Sequence, residues 1–311
     1  MIFWILARLG RALITVTLIV TFAFVVLRLS GDPAERFFDP NDTPPEVVEA
    51  FRKAWGLDQP IWIQYARYVQ NVARGDLGNS IRESRPATEA VLDRIPMTLA
   101  IMVPALFVKL LLGLAAGVLA ALYRNTLVDR LIMGVSVFGF TVPNFVLGLV
   151  LALLFAVQFR LLPSGGSSTL AHYILPVLTL GLSGAAVIAR YTRSAMIEVM
   201  GQPYVRTASA KGVLWHRVVS EHVFPNAAIP IVTVIGFMIG SLVAGAVVVE
   251  TVFSWPGVGS LLVNAVNGRD LAVVQVILLL IGFSMVAANL AVDVLYGFID
   301  PRLKRGREEG G

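Results

Sequence analysis

The chain has 311 residues, 57% of them hydrophobic, and its mean hydropathy is +0.77. A water-soluble core cannot hide that much apolar surface, so the composition excludes an ordinary soluble domain. The absence of cysteine excludes disulfides, thiolate catalysis and cysteine metal sites, while the formal net charge of +5 calls for an explanation of its own.

Six apolar runs are long enough to cross a hydrocarbon core of about 30 Å, which needs about 20 helical residues. They are predicted near Leu9–Leu29, Pro96–Leu122, Leu131–Val157, Tyr173–Arg190, Ala227–Val249 and Leu271–Ile299. The predicted fold class is therefore all-α, a polytopic membrane protein with six transmembrane helices. No small-residue cleavage pattern follows the first run, so we interpret residues 1–29 as a retained helix and not as a signal peptide.

Lys and Arg in the short connections set the predicted orientation of these helices. Most of them fall on the side that holds both termini, whereas the two short connections on the other side contain only Arg160 and Arg269. We therefore expect both termini in the cytoplasm. The positive net charge is explained by this topology, and no nucleic-acid partner is predicted.

Residues 30–95 form a long loop that we expect outside the cytoplasm and largely helical. Thr43–Glu46 has a capping-box pattern with proline in the first turn, which predicts a helix through about Trp55. Pro60 opens a second helix, and Gly75 follows its end. The apolar face of this second helix is predicted to comprise Ile61, Tyr65, Tyr68, Val69 and Val72. That face packs either on the chain's own helices or on a partner protein.

The stretch between the fourth and fifth runs, about residues 191–226, is polar and basic, so it must lie outside the hydrocarbon. Pro203 begins a short predicted helix and Gly212 ends it, because glycine permits a turn that other residues resist. Alternating apolar and basic residues are more typical of a docking element than of a solvated loop. The face of a second predicted helix here comprises Leu214, Val218 and His222.

A series of short motifs runs along the chain from residue 28 to residue 302. The loop contains Arg206-Thr207-Ala208-Ser209-Ala210-Lys211-Gly212. The other motifs are Arg28–Pro33, Gly56–Pro60, Gly75–Ser80, Pro143–Phe145, Leu162–Gly166, Phe253–Gly259 and Asp300–Arg302. In this order they resemble the inner-membrane permeases of bacterial ABC importers, in the B-type subunits of the dipeptide/oligopeptide (peptide/nickel/glutathione) branch. The sequence departs from that branch at Ser30, where proline is usual.

The resemblance implies the type I ABC-importer permease fold over residues 95–299, with residues 300–311 as a cytoplasmic tail. The function it implies is that of the permease subunit forming half of the translocation path for di- and oligopeptides across the bacterial inner membrane. Glutathione, nickel complexes, opines and sugars stay open as alternatives, because relatives carry them. The implied contact residues for a cytoplasmic ATPase are Arg206, Thr207, Ala208, Lys211 and Gly212.

The implied partners are a second homologous permease in a heterodimer, two cytoplasmic ATPase subunits and an extracytoplasmic substrate-binding protein, all at the lipid bilayer. The sequence has no Gly-x-x-x-x-Gly-Lys-Ser/Thr phosphate loop, and few residues follow the last predicted helix. We therefore expect ATP and Mg²⁺ on the partner subunits, and neither a cofactor, a metal nor a catalytic residue on this chain. A stand-alone channel or secondary transporter is the remote alternative, although no inverted halves are visible.

Two features inside the predicted spans could carry chemistry. Lys109 lies midway along the second span, where a charge normally faces protein or water. It either forms a structural pair, for which Asp293 is a candidate, or lines the translocation path near an anionic group of the substrate. Gly181–Gly184 resembles the Gly-x-Ser-Gly of intramembrane proteases, but no histidine is placed to take a proton from Ser183. Small residues there predict close helix packing instead.

Overall fold

The computed structural model describes residues 2–29, 43–54, 57–80, 82–240, 242 and 246–299. The side chains at 2–9, 12, 26–29, 51, 54 and 292–299 are outside the description. Within these ranges the chain is helical apart from turns, and a single β-bridge joins Asn79 to Pro86. The predicted all-α class is confirmed.

The α-helices in chain order are α1 Ile2–Leu29, α2 Pro45–Ala54, α3 Ile61–Arg74, α4 Ala87–Leu92, α5 Ile95–Leu122, α6 Leu127–Thr141, α7 Asn144–Ala152, α8 Ala171–Met200, α9 Pro203–Ala210, α10 Trp215–Arg217, α11 Phe224–Gly240, α12 Val247–Val252, α13 Val258–Asn267 and α14 Leu271–Ile299. Two further segments, Leu153–Gln158 and Val218–Val223, are π-helical.

Four helical stretches in the described part of the chain are long and apolar enough to cross a membrane, namely Ala87–Leu122, Ala171–Met200, Trp215–Gly240 and Leu271–Ala291. The bent pair Leu127–Thr141 and Asn144–Gln158 raises this number to five if it forms one span. The predicted first span falls on α1, in which the described apolar stretch is Leu13–Val25. A total of six spans stays a prediction.

The third predicted span, Leu131–Val157, is wrong as a single straight helix. α6 ends at Thr141, α7 begins at Asn144, and the two helices are bent by 100°. Pro143 lies in the break, and Val142 before it has an extended backbone with ψ of 122°. Proline has no amide hydrogen and disfavours the helical conformation of the preceding residue, so it divides the apolar run.

Two other predicted spans have different ends in the structure. α8 continues to Met200, past the predicted end at Arg190, because the residues beyond the apolar run are still good helix formers. α11 ends at Gly240 and not at Val249, and α12 is a separate short helix. Hydropathy marks where a segment is apolar and not where its helix ends.

The segment that enters α11 is π-helical, which overturns the predicted common face of Leu214, Val218 and His222. Val218 and Val223 are both buried, five residues apart, whereas Leu214 is exposed. A π-helix bonds residue i to residue i+5, so its wider turn brings these two valines to one side. Pro225 follows, and in an α-helix its ring would clash with the carbonyl four residues earlier, which favours the wider turn.

One compact unit comprises Met1–Ile95 and Leu261–Val286 within the described residues. In this unit α3 packs on α1. The ring centroids of Tyr65 and Tyr68 lie 5.2 and 5.3 Å from the ring centroid of Phe24. The Tyr65 hydroxyl also hydrogen-bonds Thr21 at 2.6 Å. The pKa of the Tyr68 hydroxyl is raised to about 12, mainly because the group is buried and secondly because of the charge of the neighbouring Tyr65. The loop helix therefore packs on the chain's own helix.

The predicted apolar face of α3 is only partly correct, since Ile61 and Val69 are exposed at 59% and 38%. Gly75 ends α3 in the left-handed conformation, as predicted, with φ of +77°. Ser80, at the end of the Gly75–Ser80 motif, donates a hydrogen bond to the buried carboxylate of Asp270. Asp270 precedes α14, so the motif attaches the loop to the beginning of the last helix.

The other unit comprises Pro96–Ser260 and Ala287–Gly311, and α8 is its central helix. α8 packs on α6, α7 and α11. It also meets α5 closely: a Cβ on Gly113 would lie 2.6 Å from Ile188 Cβ, and one on Gly117 would lie 2.5 Å from Thr192 Cβ. α5 and α8 run parallel through this contact, which only small residues permit.

Candidate functional site

The short helix α9 follows α8 directly and has one buried side. Val205 is 2% exposed and belongs to a cluster of buried apolar residues with Met196, Val218 and Val223. Ala208, one helical turn after Val205, packs against the same cluster. A helix of eight residues is too short to be stable alone in water, so this cluster holds α9 on the end of the bundle.

The residues predicted to contact an ATPase lie on the other side of α9 and just beyond its end. Arg206, Thr207, Lys211 and Gly212 are exposed, and Ala208 is half-buried. The structure therefore brings four of the five to one exposed surface and uses the fifth as part of the attachment. We call Arg206, Thr207, Lys211 and Gly212 the coupling surface.

Gly212 gives this surface its shape. Its φ is +79°, in the left-handed region that side-chain-bearing residues disfavour, and no atom lies within 4 Å of the place a Cβ would occupy. Glycine is needed here for its backbone conformation and not for space. The amide of Lys211 donates to the carbonyl of Thr207 at 3.1 Å and that of Gly212 to Ser209 at 3.0 Å, which closes the helix end.

An ion pair fixes α8 shortly before it reaches α9. Arg193 Nε and Nη2 donate to the two carboxylate oxygens of Asp129 at 2.6 and 2.7 Å. Asp129 lies in the first turn of α6 and also accepts the amide of Asn125 at 2.9 Å. Sequence reasoning missed this pair and Val205. Asp129, an acid in the first turn of an apolar helix, was a signal that the sequence offered for this pair. No sequence pattern pointed to Arg193 as its partner.

Lys109 is half-buried on α5, and its aliphatic stem passes over Gly184 of α8. A Cβ on Gly184 would lie 2.6 Å from both Cγ and Cε of Lys109. Among the described side chains, none carries a carboxylate that pairs with the Lys109 ammonium. The candidate partner Asp293 falls among the residues whose side chains are outside the description.

Gly181–Gly184 is a helix-packing segment, as predicted. A Cβ on Gly181 would lie 2.6 Å from Val108 Cγ1, so α5 and α8 touch here without room for a side chain. The Ser183 hydroxyl donates back to the carbonyl of Leu180 at 3.2 Å. Nδ1 of His172 is hydrogen-bonded to Thr169. Over the described ranges, no group of three or more His, Asp or Glu side chains is arranged to hold a metal ion.

Comparisons with known proteins agree with this architecture. The family described as "Binding-protein-dependent transport system inner membrane component" matches residues 113–305. A second family description, "Binding-prot-dependent transport system membrane comp, N-term", matches residues 1–102. Together these two matches account for most of the chain.

Relatives with the same printed name cover nearly the full length. The glutathione transport system permease protein GsiC of Escherichia coli O6:H1 is 42% identical over 286 residues, covering 92% of this chain and 93% of that protein. The protein of that name from Salmonella paratyphi A is 40% identical over 305 residues, covering 98% and 99%.

Solved structures share the fold. The MetNI methionine ABC transporter in an inward-facing conformation matches with a TM-score of 0.57 at 20% identity, covering 68% of this chain and 96% of that chain. An amino acid ABC transporter with histidines matches with a TM-score of 0.52 at 16% identity, covering 66% and 91%. The chain therefore belongs to the binding-protein-dependent transport family of inner-membrane components, as a non-catalytic, multi-pass permease subunit of an ABC importer of the peptide/nickel/glutathione type.

Proposed function

We propose that this chain forms half of the translocation path for short peptides, with the tripeptide glutathione among them. The names of relatives that are 40–42% identical over nearly the whole chain support this substrate class. A second homologous permease supplies the other half of the path, and an extracytoplasmic binding protein delivers the substrate.

The coupling surface is the observation that carries the proposal. An exposed polar helix held by a buried valine, at the end of an apolar bundle, is suited to contact with a soluble protein. Two ATPase subunits bind ATP and Mg²⁺ on the cytoplasmic side. Their closure moves α9, and the motion passes into α8 and α11, which lie on either side of it in the chain. The chain contributes to transport through the difference in stability between two conformational states, and it makes or breaks no covalent bond.

The coupling role is tested by Gly212→Val in the complete complex. A β-branched residue at φ of +79° is strained by about 1–2 kcal/mol, so the turn that ends α9 must change. We expect the variant to assemble and the ATPases to hydrolyse ATP, with uptake per ATP strongly reduced. Normal uptake by Gly212→Val would rule out the coupling role.

Gly75→Val is the matched control, because Gly75 has nearly the same φ, +77°, and also has no atom within 4 Å of a Cβ. It carries the same backbone strain at a distant turn, and we expect it to leave coupling intact. Gly212→Asn is the conservative variant, since asparagine tolerates the left-handed region better than other residues do, and uptake should largely recover.

The proposed orientation has both termini in the cytoplasm and the α2–α3 loop outside. Single cysteines at Asn79 and Ala210, both exposed, test it directly in a chain that has none. In intact cells a membrane-impermeant thiol reagent should label Asn79→Cys, and it should label Ala210→Cys only after lysis. The reverse pattern would invert the topology and remove the coupling surface from the cytoplasm.

Lys109 is proposed to line the path, with its ammonium near a carboxylate of the peptide. Lys109→Met keeps the length and flexibility of the side chain and removes the charge. If Lys109 lines the path, uptake or selectivity changes and assembly with the second permease stays intact. If it belongs to a structural pair, the amount of complex falls instead, because the partner's charge is left buried. Normal assembly with normal uptake would contradict both roles.

The substrate class is tested with the purified binding protein and the reconstituted complex. Glutathione and di- or tripeptides should bind the binding protein and stimulate ATP hydrolysis by the complex. Stimulation by a nickel complex, an opine or a sugar, with none by peptides, would replace the proposed substrate and leave the ABC-importer function unchanged.

A further inference from the structure

A buried carboxylate lies between α12 and the turn that follows it. Glu250 has 0% exposure, and its Oε1 accepts a hydrogen bond from the Thr98 hydroxyl at 2.7 Å. Its Oε2 accepts the backbone N–H of Ser260 at 2.9 Å. Among the described residues, no Lys or Arg forms an ion pair with Glu250. The carboxylate is thus held by neutral donors alone, although an unpaired acid is otherwise rare inside a protein.

The Thr98 hydroxyl is both a hydrogen-bond donor and a hydrogen-bond acceptor. While it donates to Glu250, it accepts the backbone N–H of Val258 at 2.8 Å. Thr98 lies in the first turn of α5, Glu250 on α12, and Val258 at the beginning of α13. One side chain therefore joins three helices. We call Thr98, Glu250, Val258 and Ser260 the carboxylate clamp.

The turn between α12 and α13 is shaped around this carboxylate. A Cβ on Gly257 would overlap the Glu250 carboxylate. A Cβ on Gly259 would lie 2.9 Å from the backbone nitrogen of Val247 and 3.0 Å from Glu250 Oε2. The two glycines of the Trp255-Pro256-Gly257-x-Gly259 motif are thus required by the close approach of backbone to carboxylate.

Aromatic packing closes the same region. Trp255 is fully buried, and its Nε1 donates to the carbonyl of Met97 at 2.8 Å, in the first turn of α5. Its ring meets Tyr173 of α8 edge-on, with ring centroids 4.6 Å apart. Breaking the clamp would leave buried donors and acceptors without partners in a region that water does not reach, so the turn and the first turn of α5 stay together.

We propose that Glu250 is a positioning residue for transport, and that the carboxylate clamp holds the α12–α13 turn against the first turn of α5 as one body that moves as a unit during the cycle. This role rests on the proposed import function. In the chain α11 lies between the coupling surface and α12, which carries Glu250, so the two sites are neighbours along the sequence of helices. Without the clamp the turn moves separately from α5, and ATP hydrolysis no longer opens and closes the path.

The first test is Thr98→Val in the complete complex, which removes the hydroxyl and keeps the shape of the side chain. We expect normal assembly, retained ATP hydrolysis and uptake per ATP lowered at least about tenfold, because a buried donor and acceptor lose their partner. Thr98→Ser restores the hydroxyl and should restore coupling. Thr179→Val is the matched control, since the buried Thr179 hydroxyl donates only to the Leu175 carbonyl of its own helix.

The second test needs no substrate. Val258→Cys places one thiol, 1% exposed as valine, in a chain without cysteine. In the detergent-purified complex this thiol should react slowly with a soluble maleimide. Thr98→Val in the same background should raise the labelling rate at least about tenfold, because the turn is released. Thr98→Ser should keep it slow.

Three results would overturn the proposal. One is normal uptake per ATP by Thr98→Val, and another is fast labelling of Val258→Cys with Thr98 intact. The third is uptake that falls only in proportion to the amount of complex in Thr98→Val, which would make the clamp merely structural. If peptides are not transported by the unmodified complex, the proposed substrate fails, while the labelling experiment still decides whether the clamp exists.

Discussion

The turn after α9 and the turn after α12 both depend on glycine, but for different physical reasons. Gly212 has a left-handed backbone with open space around it, whereas Gly257 has an ordinary φ and a buried carboxylate where its Cβ would be. The first turn is exposed and its polar groups face outward. The second is closed, and its polar groups bond one another.

Under the proposed function, this difference separates an exposed surface that contacts another protein from a turn whose polar groups are bonded within the chain. α9 buries only Val205, against the cluster of apolar residues beneath it, so the shape of the coupling surface depends on the backbone. In the carboxylate clamp the hydrogen bonds join residues of α5, α12 and α13, so the loss of one polar atom affects the contacts of all three helices. Loss of a clamp hydrogen bond should therefore change how the α12–α13 turn moves with α5, an overlapping side chain in that turn should lower the stability of the chain, and substitutions at the coupling surface should alter association with the ATPases.

The largest effect is expected from Gly257→Ala. Its methyl group would overlap the Glu250 carboxylate, and overpacking of this kind costs about 3 kcal/mol at the upper end of its usual range. The amount of complex recovered from membranes should fall at least tenfold. Gly134→Ala is the control, because nothing lies within 4 Å of its Cβ position. Equal recovery of both variants would show that the turn can relax around the carboxylate.

Val205→Ala should have the next largest effect. Removing two buried methyl groups lowers the free energy that holds α9 on the bundle by about 1–3 kcal/mol. Limited proteolysis near residues 203–212 should become faster, and stimulation of the ATPases should weaken. Val135→Ala makes the same change at a valine that is 72% exposed, and both readouts should stay as in the unmodified chain. Resistance of Val205→Ala to proteolysis would mean that other contacts hold α9.

Arg193→Lys tests an internal contact of a third kind, the ion pair between α6 and α8. Lysine keeps the charge but cannot make the two parallel hydrogen bonds to Asp129, so we expect a loss of about 1 kcal/mol in the thermal stability of the purified complex. Arg130→Lys, at an exposed arginine on α6, is the control and should have no effect. An unchanged transition temperature in Arg193→Lys would show that the charge alone suffices.

The smallest effect on stability is expected from Arg206→Gln. An exposed side chain of this kind changes the free energy of unfolding by at most about 0.5 kcal/mol. Binding of the purified ATPase subunits should nevertheless weaken at low salt and differ less from the unmodified chain at high salt, because salt screens an exposed charge. Arg74→Gln, at the exposed end of α3, should leave binding unchanged. A variant with unaltered ATPase binding would remove Arg206 from the contact.

Local sequence signals predicted the helix ends where a backbone rule is strong. Gly75 and Gly212 end their helices as expected, and Pro203 begins α9. Apolar length failed at Pro143, where one long apolar run is two helices, because hydropathy contains no information on a missing amide hydrogen. It also failed in the run predicted to reach Val249, because Leu242 lies in a turn and α12 is a separate helix.

Long-range contacts could not be predicted in the same way. Thr98 and Glu250 are 152 positions apart, and Asp129 and Arg193 are 64 apart, so no periodicity links the partners. The exposed half of α9 could be predicted because its residue types alone require water. Its attachment through Val205 could not, since one valine in a polar loop is compatible with either side of the helix.

The length of α8 has a consequence for the lipids around this subunit. Its 30 residues extend about 45 Å, against a hydrocarbon thickness of about 30 Å. The excess corresponds to roughly ten residues, and we expect it at the polar end of α8, residues 190–200, which α9 follows in the chain. A membrane a few ångströms thicker would cover part of this extension and still leave the coupling surface in water. Hydrophobic mismatch should then change the tilt of the helices before it affects ATPase contact, so coupling should persist across lipids of different chain length.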